Sequence, residues 1–249
     1  MVFSIAAREL RGLFLSPLAW AILAVIQGIL AFQFLSHIEY FIELQPQLAA
    51  IDGAPGIADL VIAPLYADAA VVLLLITPLV TMRVFSEERR SRTISLLFSA
   101  PASMTEIVLG KYLGVLAFFM VMLAMLTLMP LSLLAGSTLD LGKLAACVLG
   151  LALVLAAFSA IGVYMSSLTE QPVIAAVTTF GLLLMLLLLD RSNLPGDEAS
   201  VLGYLSMLAH YEPLLKGLFN STDIIYYLLI TVLFLGFTIR RLDAMRLRG

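Results

Sequence analysis

Six long apolar stretches are the strongest constraint on the fold of this chain. They lie near residues 17–37, 62–82, 110–135, 141–166, 173–190 and 223–240. A helix needs about 20 apolar residues, and no fewer than about 17, to cross the hydrocarbon core of a bilayer. Stretches of this length predict an all-α polytopic membrane protein with six transmembrane helices, in one transmembrane domain over residues 1–249.

The composition agrees with a lipid environment and argues against several functional classes. Hydrophobic residues make up 62% of the 249 residues, whereas charged residues make up 12%, about half the share found in soluble domains. The net charge of −3 gives no indication of a nucleic-acid partner. The single cysteine, Cys147, excludes an internal disulfide and a CxxC metal site.

The distribution of lysine and arginine predicts the orientation of the chain. With both termini inside, the cytoplasmic side carries eleven of the fourteen basic residues, and the outer side carries only Lys143, Arg191 and Lys216. Cytoplasmic loops of membrane proteins are enriched in lysine and arginine. We therefore expect cytoplasmic termini and a cytoplasmic segment over residues 83–109.

That segment carries an unusual pattern for a connecting loop. Residues 84–98 predict a helix, with Glu88 and Arg92 at the spacing of a helical ion pair. Pro101 disfavours helical backbone at the residue before it. Ser103 and Glu106 then have the spacing of a capping box, which begins a second helix. The pattern indicates two helices separated by a tight break at the membrane surface.

The charge of this segment has two interpretations. Any cytoplasmic loop carries positive charge as a topology signal. The apolar edge formed by Ile94, Leu97 and Phe98, together with the capping box, favours instead a helix that docks against another surface.

The N-terminus has an amphipathic pattern of its own. Arg8 and Arg11 lie toward the side opposite an apolar helix face, which is formed by Phe3, Ala6, Ala7, Leu10 and Phe14. Such a helix is typical of the membrane interface plane, where it is either a simple anchor or a functional element. On the outer side, residues 38–61 are expected to be partly irregular, and residues 191–222 predict short interfacial helices.

Three segments resemble the ABC-2-type transporter permeases. Residues 87–112, EERRSRTISLLFSAPASMTEIVLGKY, resemble the loop between the second and third spans of that family. The matching positions are Glu87, Glu88, Arg89, Thr93, Leu96, Leu97, Pro101, Glu106, Gly110 and Lys111. Arg92 stands where the family usually has glycine, and Ser95 stands where an acidic residue is common. Residues 159–181 and 210–246 resemble the gliding-motility-associated branch, which is related to the copper-enzyme-maturation permeases.

The resemblance implies a fold of the ABC-2, or type V exporter, kind in a bacterial inner membrane. In this family the N-terminal helix, here 1–16, is an elbow helix, and the helix within 84–99 is a coupling helix that contacts a separate ATPase subunit. The residues implied in that contact are Glu87, Glu88, Arg89, Arg92, Thr93, Leu96, Arg8 and Arg11. The implied partners are the ATPase, a second permease that is identical or related, and an auxiliary protein with a periplasmic domain.

Catalytic motifs are missing from the sequence. It has no GxxxxGK[ST], HExxH or GxSxG, so we expect ATP and Mg²⁺ to bind the partner ATPase, and no catalytic, cofactor or metal site here. His37 and His210 are interpreted as solvated interfacial side chains. Gln27 and Gln33 are the polar side chains placed deepest in a predicted span.

The resemblance and the sequence together predict a permease subunit driven by a separate ATPase. The alternative is a membrane scaffold that anchors a larger complex and transports nothing. An ion-coupled carrier or an intramembrane enzyme would need ionisable residues in mid-span, and these are nearly absent.

Overall fold

In the computed structural model the described residues are 1–48, 55–93, 102–135, 139–189 and 206–246, and the regular structure in these ranges is helical. The helices in chain order are α1 Val2–Leu15, α2 Pro17–Leu48, α3 Ala63–Thr81, α4 Arg83–Arg90, α5 Met104–Ser132, α6 Leu141–Leu168, α7 Pro172–Leu188, α8 Met207–Leu215 and α9 Ser221–Arg246. A turn of π-helix, Ala58–Ile62, precedes α3, and a 3₁₀ turn, Leu133–Ala135, follows α5.

Within these ranges, five helical segments are long and apolar enough to cross a membrane. They are Pro17–Gln47, Ala58–Arg90, Met104–Ser132, Leu141–Leu168 and Ser221–Arg246. The apolar helix α7 occupies the predicted span 173–190, but its 17 residues make it shorter than the other five. The chain is therefore a multi-pass membrane protein, with five candidate spans and one shorter apolar helix.

The central helix of the bundle is α6. It contacts α3, α4, α5, α7, α8 and α9. Small residues along it allow close approach: a Cβ on Gly162 would lie 2.7 Å from the Cβ of Thr81 in α3, and a Cβ on Gly150 would lie 3.0 Å from the Cβ of Leu214 in α8. By contrast, α2 is peripheral and exposes Val25, Phe32 and Leu35, as a lipid-facing helix does.

The first span is longer than predicted. Helix α2 continues to Leu48 instead of ending near residue 37, so the expected irregular structure is wrong for residues 38–48. The extension is held by packing, because Ile38 and Phe41 lie against the core and His37 Nε2 lies 2.9 Å from Asp68 Oδ2 in α3.

The second span also differs from the prediction. Helix α4 follows α3 directly, and Met82 between them keeps helical backbone angles (φ −56°, ψ −30°). The helix predicted from residue 84 is therefore a continuation of the second span and not a separate helix lying along the membrane surface. Its buried residues, Val84, Phe85 and Ser86, pack inside the bundle.

Candidate functional site

One end of the bundle gathers seven of the fourteen basic residues and all described positions of the resembling loop. We call it the basic end; it consists of α1, α4, the first turns of α5 and the last turns of α6. Its centre is Lys111, whose side chain is 4% exposed. Lys111 Nζ lies 2.9 Å from Glu88 Oε1 and 3.3 Å from Glu9 Oε2, and it donates to the Val84 carbonyl at 2.8 Å.

These contacts, the Lys111 cluster, join three helices. Glu9 belongs to α1, Val84 and Glu88 belong to α4, and Lys111 belongs to α5. The ammonium group also lies 5.3 Å from the centre of the Phe85 ring. A buried lysine is stable as a cation only when its protons have partners, and the two carboxylates and the carbonyl supply them.

Two glycines of α5 allow α1 to pack this closely. A Cβ on Gly110 would lie 2.6 Å from the Cβ of Ile5, and a Cβ on Gly114 would lie 2.6 Å from the Cβ of Glu9. The spacing is that of the GxxxG motif, which brings membrane helices into backbone contact. Farther along, Phe14 meets Phe118 with ring centroids 5.4 Å apart, so α1 runs beside α5 in the same direction.

The face by which α1 packs differs from the predicted one. Leu10 and Phe14 pack against the core as expected, together with Ile5 and Leu13, whereas Phe3 is 84% exposed. The sequence pattern predicted the buried face of α1 as if the helix had no neighbour. In the structure, Ile5 and Glu9 face α5, because Gly110 and Gly114 leave space for them.

The junction of α3 and α4 is held by a hydroxyl from α6. Ser166 Oγ accepts hydrogen bonds from the backbone N–H groups of Phe85 and Ser86, at 3.0 and 3.1 Å, and donates to the Met82 carbonyl at 2.9 Å. Ser166 thereby links the junction of α3 and α4 to α6.

The helix predicted over 84–98 ends at Arg90 and is wrong for residues 91–93, which form a turn, whereas residues 94–98 lie outside the described residues. Thr93 N–H donates to the Glu88 carbonyl at 3.0 Å, and Arg92 N–H donates to the Arg89 carbonyl at 3.2 Å. These two bonds form a Schellman motif, which ends a helix at a residue in the left-handed conformation. Here that residue is Arg92, with φ 57°, at the position where the resembling family usually has glycine. Because Arg92 lies past the helix end, the helical spacing predicted for its pairing with Glu88 does not apply.

The structure divides the predicted ATPase-contact residues into two groups. Two of them have partners within this chain: Glu88 is in the Lys111 cluster, and Arg89 donates to the Ser167 carbonyl at 2.8 Å and to the exposed Glu170 Oε1 at 3.2 Å. The exposed ones are Glu87, Arg92 and Thr93 at the end of α4, and Arg8 and Arg11 on α1. Leu96, like the apolar edge at Ile94, Leu97 and Phe98, lies outside the described residues.

The capping box that begins α5 is confirmed. Glu106 N–H donates to Ser103 Oγ at 3.2 Å, and Ser103 N–H donates to Glu106 Oε2 at 3.0 Å. The contacts of Lys111 were not predicted, since the sequence indicated only a topology charge and a position that matches the resembling family. The spacing of Gly110 and Gly114 was the one available signal for close packing at this point.

Both histidines at the opposite end are paired, and the interpretation as a solvated side chain is wrong for His210. His210 is buried in α8, with Nδ1 2.6 Å from Asp223 Oδ1, and its ring stacks on Tyr226 with centroids 4.1 Å apart. His37 is half-buried against Asp68. The described part of the chain contains no group of three or more side chains arranged to hold a metal ion.

Gln27, one of the two deep amides, bonds to the protein backbone. Its Nε2 donates to the Met122 carbonyl of α5 at 3.0 Å. This bond links α2 to α5, so the amide nitrogen of Gln27 has a structural role.

A comparison with protein families finds a match over nearly the whole chain. The family described as ABC-2 family transporter protein matches residues 3–247, nearly the whole chain. Among curated proteins, none matches the chain. Since the family match covers the candidate spans and the basic end alike, the chain belongs to the ABC-2 family of transporter proteins.

Proposed function

We propose that this protein is the membrane-spanning permease subunit of an ABC transporter, in which a separate ATPase subunit drives export or mechanical work across the membrane. Membership of the ABC-2 family supports the proposal, because its membrane proteins generally work with an ABC ATPase. In this assembly ATP and Mg²⁺ bind the ATPase, and this chain is not an enzyme.

The Lys111 cluster is the observation that carries the proposal. The exposed end of α4, with Glu87, Arg92 and Thr93, is the surface offered to the ATPase. The cluster and Ser166 join that short helix to α1, α5 and α6. A displacement of α4 therefore acts on three further helices through buried polar contacts, which is what a coupling element requires.

The proposal includes the finer features of the assembly. Helix α1 serves as the elbow helix, α4 and its following turn serve as the coupling segment, and α7 completes six spans. Two permeases, identical or related, pair around the pathway in a bacterial inner membrane, with both termini cytoplasmic. The resemblance to the gliding-motility and copper-enzyme-maturation permeases supports an auxiliary protein with a periplasmic domain as a further partner.

Charge reversal at the exposed end of α4 tests the proposal. In Arg92→Glu we expect the purified permease to lose its ATPase subunit, because a contact to a carboxylate in a partly closed interface is worth about 2 kcal/mol or more. The measurements are the amount of ATPase that co-purifies and its stimulated turnover. The matched control is Lys216→Glu, which reverses the charge of an exposed lysine in the turn after α8 at the opposite end.

Retention of the ATPase with normal stimulation in Arg92→Glu would contradict the proposal for this surface. The scaffold alternative makes a different prediction. A scaffold would keep its partners after disruption of the Lys111 cluster, and the ATPase rate would not change.

A further inference from the structure

A cavity of about 240 Å³ lies at the basic end, beside the Lys111 cluster. Its walls come from α1, α2, α3, α4 and one side chain of α5. One part of its wall is polar and carries Arg8 and Arg83. Another part is apolar and includes Leu18, Ile22 and Leu79.

The lining suits an amphipathic anion, because its arginines lie nearer the basic end than its aliphatic residues. Arg83 lies one helical turn beyond Leu79, and Arg8 lies on α1 more than one turn before Leu13, so each arginine is nearer the basic end than the aliphatic residue on its own helix segment. Neither arginine has an ion pair among the described residues. Of the two carboxylates in the lining, Glu9 is paired with Lys111. The remaining lining charges are one carboxylate, Glu87, and the two arginines, so the lining has a net positive charge.

The residues beside the cavity have the character of the membrane–water interface. Trp20, next to Ala19 of the cavity wall, is 60% exposed and donates from Nε1 to the Phe14 carbonyl. An exposed tryptophan with one polar contact is typical of the membrane–water interface. Leu18, at the cavity edge, is also exposed, so the apolar part of the cavity opens toward the surrounding lipid.

We propose that this cavity is a binding site for one anionic phospholipid of the leaflet at the basic end. Arg8 and Arg83 bind the phosphate, and the start of an acyl chain lies along Leu18, Ile22 and Leu79. Basic pockets between helices at the cytoplasmic side of membrane proteins take lipids of this charge. The site goes beyond the proposed function, and it holds whether or not an ATPase binds this chain.

The chain offers a substitution that fills the cavity without altering its charge. Gly12 lines the cavity, and a Cβ at this position would meet nothing within 4 Å. Gly12→Leu therefore places a side chain in or at the mouth of the cavity while leaving the backbone of α1 unstrained. Gly28 of α2 has equally open space and does not line the cavity, so Gly28→Leu is its matched control.

The test is lipid retention by the purified full-length permease, without its ATPase, measured by native mass spectrometry and by the thermal shift on adding phosphatidylglycerol. Arg8→Gln and Arg83→Gln should each weaken phosphatidylglycerol binding about fivefold, the effect of one arginine at an anionic surface. Gly12→Leu should abolish it. Arg90→Gln, an exposed arginine outside the cavity lining, and Gly28→Leu should bind as the unaltered chain does.

Three results would overturn the proposal. Equal binding of phosphatidylcholine would show that charge is not recognised. An equal thermal shift with soluble glycerol phosphate would reassign the site to free phosphate. A loss as large in Arg90→Gln as in Arg83→Gln would reduce the effect to general surface charge.

Discussion

At the scale of single residues, Lys111 is the side chain on which the basic end depends. In Lys111→Met, Glu9 and Glu88 lose their shared cation, so we expect the free energy of unfolding to fall by about 3 kcal/mol, as when one partner of a buried ion pair is removed. The measurement is unfolding of the purified protein in mixed micelles. Lys216→Met is the control, because Lys216 makes only an exposed pair with Glu212, worth about 0.5 kcal/mol or less.

Neutralising the two carboxylates as well distinguishes the effect of unpaired charge on stability from the effect of altered packing. Lys111→Met combined with Glu9→Gln and Glu88→Gln should recover part of the lost stability, since no unpaired charge then remains inside. An equal or larger loss in the triple variant would mean that the cluster does not act through its charges.

Arg92 is the other residue with a specific stability prediction. A non-glycine residue in the left-handed region costs roughly 1–2 kcal/mol, and glycine avoids that cost while gaining freedom in the unfolded chain. Arg92→Gly should therefore stabilise the protein by about 0.5–1 kcal/mol in the same unfolding measurement. Ser91→Gly, one residue earlier with φ −79°, is the control and should not stabilise it.

At the scale of helices, the close contact of α1 with α5 depends on two glycines, which have no side chain. Gly110→Ala or Gly114→Ala places a methyl group 2.6 Å from the Cβ of Ile5 or Glu9, so α1 must move outward. We expect a loss of about 1–3 kcal/mol from overpacking. Gly28→Ala, with open space around it, should instead be neutral or stabilising by up to about 1 kcal/mol. Equal stability of all three variants would contradict this account of the packing.

Helix starts were easier to predict from the sequence than helix ends or contacts. The capping box at Ser103 and Glu106 is local, since both residues lie within one turn and need no tertiary information. The end of α4 was missed, because an arginine gives no signal for left-handed backbone where a glycine would.

The contacts of the candidate site were missed for a different reason. Glu9 and Lys111 are 102 residues apart, and His210 and Asp223 meet only because α8 folds back onto α9. Charge counting groups Lys111 with the other basic residues, yet it does not reveal which carboxylates lie beside it.

At the scale of the whole molecule, the two ends of the bundle should face opposite compartments. Cys147 is buried, so single cysteines can be introduced with little background labelling. We expect Asn220→Cys to react in intact cells with a membrane-impermeant maleimide, and Ser91→Cys to react only after lysis, because the lysines and arginines are concentrated at the end that carries Ser91. Reaction of Ser91→Cys in intact cells would reverse the predicted orientation.

The close contact of Thr81 with Gly162 gives the second span the geometry of a lever. The arm on the basic side is α4, whose eight residues measure about 12 Å, and the other arm is α3, whose 19 residues measure about 28 Å. If α3 and α4 rotate as one rigid rod about the contact of Thr81 with α6, a small displacement of Arg90 moves Ala63 in the opposite direction. The displacement of Ala63 is then roughly twice as large, because α3 is roughly twice as long as α4. In the proposed transporter, a short displacement of α4 would then produce a longer displacement at the opposite end of α3.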